Sequence, residues 1–118
     1  MAKPNYTIVP ASNSTNFLPI IISGTTSGSP TLIHTSHSTS IDELWLSGYN
    51  YSETDVILNI LLGGAGTGQI MSQVVPSLSG AIPILAGQTF TGAVAISAYS
   101  SVSNAISVIA RVNRIIFT

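Results

Sequence analysis

From Leu44 to Ile116 the apolar residues return at every second position, in short runs that glycine, proline and hydroxyl residues interrupt. This spacing sends alternate side chains to opposite faces of an extended chain, whereas an amphipathic helix would need apolar residues three and four apart over a longer stretch. The last run is the clearest. Within Ala105–Ile116, the residues Ile106, Val108, Ala110 and Val112 share one face. Before it, Ala93–Tyr99 carries Val94 and Ile96, and Ser100–Asn104 supplies the turn between the two. Leu44–Tyr49 places Leu44 and Leu46 on one face and Trp45 on the other; Val56–Leu62 aligns Val56, Leu58, Ile60 and Leu62. Gly63–Gly68 then reads as a hairpin loop into Gln69–Val75, and Ile84-Leu85 precede a turn expected at Ala86-Gly87-Gln88.

The first third of the chain is different. Pro4, Pro10, Pro19 and Pro30 stand among many Ser, Thr, Asn and Gly residues, which block helix and favour turns. Residues 1–30 therefore read as an extended N-terminal arm holding two short candidate strands, Tyr6–Val9 and Phe17–Ile22. Residues 31–118 form the remaining domain. About six to eight short strands punctuated by turns define an all-β fold, an antiparallel β-sandwich or jelly-roll-like domain.

Charge limits what such a domain can do. Lys and Arg number 3 and Asp and Glu number 4 among 118 residues, 6% in all, against about 25% in an average soluble domain. A monomer normally relies on ions to keep its surface hydrated and apart from its neighbours. This chain has Ser and Thr instead, with a mean hydropathy of +0.50, so part of its surface is expected to be covered by other protein. The three cations Lys3, Arg111 and Arg114 cannot build a phosphate-binding footprint, and nucleic acid is excluded as a partner. The chain has no cysteine, which removes disulfides and thiolate metal sites. Proline and polar residues break up the N-terminal segment and the aliphatic stretch around Ile20, so neither a signal peptide nor a membrane span is expected.

No motif points to catalysis. Gly63-Gly64-Ala65-Gly66-Thr67-Gly68 lacks the Lys-Ser/Thr end and the following helix of a phosphate loop. His34 and His37 are three apart, which puts them on opposite faces of a strand, and no third metal ligand is near; they read as polar surface or turn residues. No serine sits in a nucleophile elbow. The acids fall in two pairs, Asp42 with Glu43 and Glu53 with Asp55, and solvation of strand ends accounts for them. Sequons at Asn5, Asn13 and Asn50 are what chance gives in this composition. No cofactor and no metal are expected.

Two groups of residues remain. Arg111 and Arg114 have opposite parity in the last strand, so at most one points inward; with so few counter-charges, one of them is expected to meet Asp42 or Glu43, within the chain or across a subunit boundary. Trp45, Tyr49, Tyr51 and Tyr99 are candidates for an aromatic contact surface, either at a protein interface or under a sugar.

Ile33-His34-Thr35, Ile41-Asp42-Glu43-Leu44-Trp45-Leu46 with Asn50 after it, the strand into Gly63-Gly64, the Ile84–Phe90 stretch around Gly87 and the ending Val112-Asn113-Arg114-Ile115 together resemble small virion proteins of tailed bacteriophages, the head decoration or cement type. The resemblance runs from Thr31 to the C-terminus. It implies a non-enzymatic β-sandwich on the capsid surface, often a homo-oligomer, whose partners are the major capsid protein or other virion proteins. Two alternatives accompany it: a neck, tail or baseplate component, and a carbohydrate-binding adhesion module.

Overall fold

The computed structural model describes residues 3–117. Nine strands follow in order: β1 (Pro4–Pro10), β2 (Ile20–Ile22), β3 (Thr31–Thr35), β4 (Ile41–Asn50), β5 (Val56–Leu62), β6 (Ile70–Val75), β7 (Ile82–Phe90), β8 (Ala95–Ser100) and β9 (Ile106–Phe117). No helix occurs among the described residues. One sheet has the order β1-β9-β4-β7, with β2 also paired to β9, and the other has the order β3-β8-β5-β6. All pairings are antiparallel. From β2 to β5, and again from β6 to β9, each strand crosses to the opposite sheet. This is the connectivity of a jelly roll, a sandwich of two Greek keys.

The inner faces are set by the period-two pattern. Leu44 and Leu46 from β4, and Ile106, Val108, Ala110 and Val112 from β9, meet Val56, Leu58, Ile60, Ile96 and Ala98 from the second sheet in one core. Each aliphatic side chain buried there contributes about 1.5–3 kcal/mol, so the core outweighs any single polar contact. Gly48, on the same inner face, allows close approach: a Cβ there would lie 3.2 Å from Leu58 Cδ2. Leu62 is only half-buried, and its neighbour Leu61 is buried from the other face.

Simple alternation breaks down at four places, one of them in β7, where Leu85 faces Leu46 and Pro83 faces Ser47, leaving Ile84 as an extra residue. The turn expected at Ala86-Gly87-Gln88 is not a turn. β7 runs through it, with Gln88 opposite Leu44 and Ala86 opposite Trp45, so that Gly87 is the extra residue of a β-bulge. Its φ of +78° is one that only glycine adopts without strain. In β3, Leu32 faces Ser97 and His34 faces Ile96; the extra residue there is Ile33, and the bulge turns both Ile33 and His34 into the interior. Finally, the strand expected over Phe17–Ile22 is confined to Ile20–Ile22. Asn16 and Phe17 before it have φ values of +53° and +62°, forming a left-handed turn.

The N-terminal segment is extended along its own sheet. β1 pairs with β9 from Pro4↔Phe117 to Pro10↔Arg111, and most of its side chains are exposed. Ala11, Ile20 and Ile22 lie in the core.

Candidate functional site

The chemistry-bearing residues gather in two places, one inside the sandwich and one on the outer face of the five-stranded sheet. The internal group centres on Asp42, which alternation along β4 turns inward and which is fully buried, contrary to the solvated strand end expected from sequence. Arg114 stands directly opposite it on β9 and donates from Nε to Oδ1 at 2.8 Å and from Nη2 to Oδ2 at 3.0 Å. His34 reaches across from the other sheet, Nε2 to Oδ2 at 2.8 Å, and the His37 backbone N–H adds a further donor at 3.1 Å. Burial pushes the Asp42 carboxyl up, but the hydrogen bonds from Arg114, His34 and His37 outweigh it and hold the group below its ordinary value. The same bond to Asp42 raises Arg114, against the opposing effect of burial.

His34 is therefore not the surface or turn residue expected. Its Nδ1 accepts the Ser12 backbone N–H at 3.0 Å, which leaves the ring hydrogen on Nε2, facing Asp42. Ser12, His34 and Asp42 thus touch in the order of a hydrolase triad without forming one. The contact from Ser12 is its amide; its Oγ accepts the Thr35 N–H at 2.8 Å, and His34 is 1% exposed. A nucleophile must be presented to substrate by an adjacent base, and this histidine has both nitrogens engaged inside the protein. The group joins three segments: the loop after β1, the bulged strand β3 and the β4–β9 pair. His37 has a different task, its Nδ1 accepting the Thr39 and Ser40 N–H groups at 3.1 and 2.9 Å and so fixing the turn into β4. Among the described residues no group of three His, Cys, Asp or Glu could hold a metal ion.

Asn50 is also internal. It is 1% exposed; its Nδ2 donates to the Thr54 and Val75 carbonyls, and its Oδ1 accepts from Ser52. With its amide hydrogens both committed, this sequon is no glycan acceptor in the folded chain.

On the outer face of the larger sheet, Trp45 is 38% exposed. Arg111, opposite it on β9, lies over the indole with the guanidinium carbon 5.1 Å from the ring centroid, a cation–π contact. Gly87 fits beneath: a Cβ there would come within 3.0 Å of Trp45 Cζ2. Glu43, one row further along β4, accepts from Asn113 Nδ2 at 2.8 Å rather than from either arginine. Beside Trp45 an open groove of about 590 Å³ runs between β4, β7 and β9, walled by Phe17 from the left-handed turn, with Pro83, Leu85 and Ile109 along it. The surrounding face exposes Tyr6, Ile8, Ile21, Ile109 and Phe117.

The four aromatic candidates do not converge. Trp45 and Tyr49 are four residues apart on β4, about 13 Å. Tyr51 lies beyond the end of β4, its ring 6.4 Å from that of Tyr49, and Tyr99 belongs to the other sheet. Glu53 and Asp55 lie in the β4–β5 connection, where Asp55 caps the Ser77 N–H at 2.9 Å. Sequence reasoning missed the burial of His34, Asp42 and Asn50; for Asp42 and Asn50 the available signal was parity, since both share the inward-facing positions of β4 with Leu44 and Leu46.

Comparison with family models, with curated proteins and with solved structures finds no match to this chain.

Proposed function

We propose that this chain is a structural protein of a bacteriophage particle, bound to the outside of the capsid, where it reinforces the shell by contact rather than by catalysis. The observation that carries the reading is the outer face of the larger sheet, on which Tyr6, Ile8, Ile21, Trp45, Ile109 and Phe117 are all exposed and, among the described residues of its strands, only Glu43 and Arg111 are charged. Single apolar residues are ordinary on a surface, but six large ones on one sheet face, set around the polar cluster of Glu43, Arg111 and Asn113, support a protein contact there. The jelly roll is compatible with this role, although a fold alone assigns no function. The capsid partner itself rests on the sequence resemblance. Particle attachment gains from many copies acting together, and low charge avoids repulsion between them.

The carbohydrate reading is less well supported. One face of Trp45 is covered by Arg111, and the tyrosines do not extend a platform from it. The test is location and copy number. Particles produced by the genome encoding this chain would be counted for it by quantitative mass spectrometry and labelled with gold-tagged antibody. Many copies over the head are expected. Label confined to the neck, tail or baseplate would replace the capsid reading with the other virion reading, and absence from particles would end both.

A further inference from the structure

We infer that the centre of this outer face is covered by a second copy of the same chain, in an isologous dimer with a two-fold axis running along the line from Trp45 to Asn113. The inference rests on reading that face as a protein contact, and it names the partner. Its basis is the register. β4 and β9 pair Glu43 with Asn113 and, one row on, Trp45 with Arg111. All four side chains project outward, so they occupy the corners of a rectangle about 4.8 Å by 6.7 Å. The opposite charges, Glu43 and Arg111, lie on one diagonal; Trp45 and Asn113 lie on the other.

A two-fold operation along the Trp45–Asn113 diagonal brings each charged corner to within about 3 Å, in the plane of the sheet, of the partner's opposite charge. The flexible side chains of Glu43 and Arg111 span that offset, so each reaches its counterpart on the partner, while the two indoles meet on the axis. Turning the axis onto the charged diagonal would instead stack Glu43 on its own copy and Arg111 on its own copy. The pattern thus selects one orientation by attraction and disfavours the other by repulsion. Neither charge is committed to an ion pair within the chain among the described residues; Glu43 meets the neutral Asn113 and Arg111 rests on the indole, so neither charge is neutralised and each can still pair with an opposite charge on a partner. The size is adequate as well. With 7, 3, 10, 9 and 12 residues in β1, β2, β4, β7 and β9, the face spans about 650 Å², so two copies would bury about 1,300 Å², within the roughly 1,200–2,000 Å² of a stable interface.

Sedimentation equilibrium of the purified chain over a wide concentration range tests this. A dimer of twice the 12.2 kDa chain mass is expected, with the emission of Trp45, the one tryptophan of the sequence, moving to shorter wavelength along the same concentration curve. Glu43→Arg and Arg111→Glu should each raise the dissociation constant about tenfold or more, and the double exchange should restore it. Glu43→Gln and Arg111→Gln serve if a charge reversal fails to fold, each weakening the dimer less. A monomer throughout, a higher oligomer, or additive effects in the double exchange would overturn the inference. A monomer that still binds particles would remove the dimer and leave the shell reading intact.

Discussion

Arg114 grips Asp42 through both nitrogens that face it, at 2.8 and 3.0 Å, from the position directly opposite on the neighbouring strand. The carboxylate is fully buried while the arginine is partly exposed, with 23% of its side chain accessible. Removing Arg114 therefore strands a charge that cannot reach water. Loss of one partner from a buried pair costs about 3–5 kcal/mol, and the donors remaining from His34 and His37 place Arg114→Met near the lower end. Urea denaturation should show a lowered midpoint with an unchanged slope.

The same carboxylate gives the stability a pH dependence of defined sign. Asp42 has a folded value held below the ordinary 3.8, so the unfolded chain takes up its proton first as the pH falls. Its contribution is complete above that unfolded value and is lost as the pH drops through the folded one. Stability from this group should be level from pH 7 to about pH 5 and decline below about pH 4. Asp42→Asn should start from a lower plateau and show a flatter acid limb in denaturation measured across that range. An unchanged acid limb would mean that other carboxylates govern it.

Gly87→Ala should be costly for two reasons. The residue holds φ at +78°, and its added methyl would press on Trp45 at 3.0 Å. About 1–2 kcal/mol of destabilisation is expected. Because the indole must shift, Trp45 fluorescence should change with it, and combining the substitution with Trp45→Ala should recover the packing part of the loss.

The two faces of β4 can be told apart by truncation. Leu46→Ala removes a fully packed core side chain and should cost about 2–5 kcal/mol. Trp45→Ala, one residue away on the outer face, should cost the monomer about 1 kcal/mol, mostly the contact with Arg111. Thermal melts of the two variants would show the contrast.

These contrasts indicate what could be read in the sequence. Alternation alone assigns Leu44, Leu46, Ile106, Val108, Ala110 and Val112 to one face, and the core uses them all. Turn chemistry likewise places the Gly63–Gly68 loop between β5 and β6. A bulge defeats such reasoning because it changes parity by one: Ile33 and His34 are neighbours and yet both point inward. Gly87 signals a break, but nothing local distinguishes a turn from a bulge against Trp45. Which arginine meets which acid is fixed by the pairing of β9 with β4, two strands far apart in the chain. The opposite parity of Arg111 and Arg114 is visible; the register is not.

The N-terminal segment offers the last test, because its two strands differ in what they bury. β1 lies at the edge with mostly exposed side chains, and removing residues 1–10 leaves Ser12 in place to hold His34. Ala11, Ile20 and Ile22 fill the core, and a chain lacking residues 1–22 would open a cavity over Ile106 and Val108, the partners of β2. Deleting one buried aliphatic side chain costs about 2–5 kcal/mol, and losing Ala11, Ile20 and Ile22 together with both strands is comparable to the whole margin of about 5–15 kcal/mol that keeps a typical domain folded. The shorter truncation should still melt cooperatively, at a lower temperature, with β9 exposed as a new edge. The longer one should give no cooperative transition by circular dichroism. A cooperative melt from the longer truncation would show that β2 is dispensable to the sandwich.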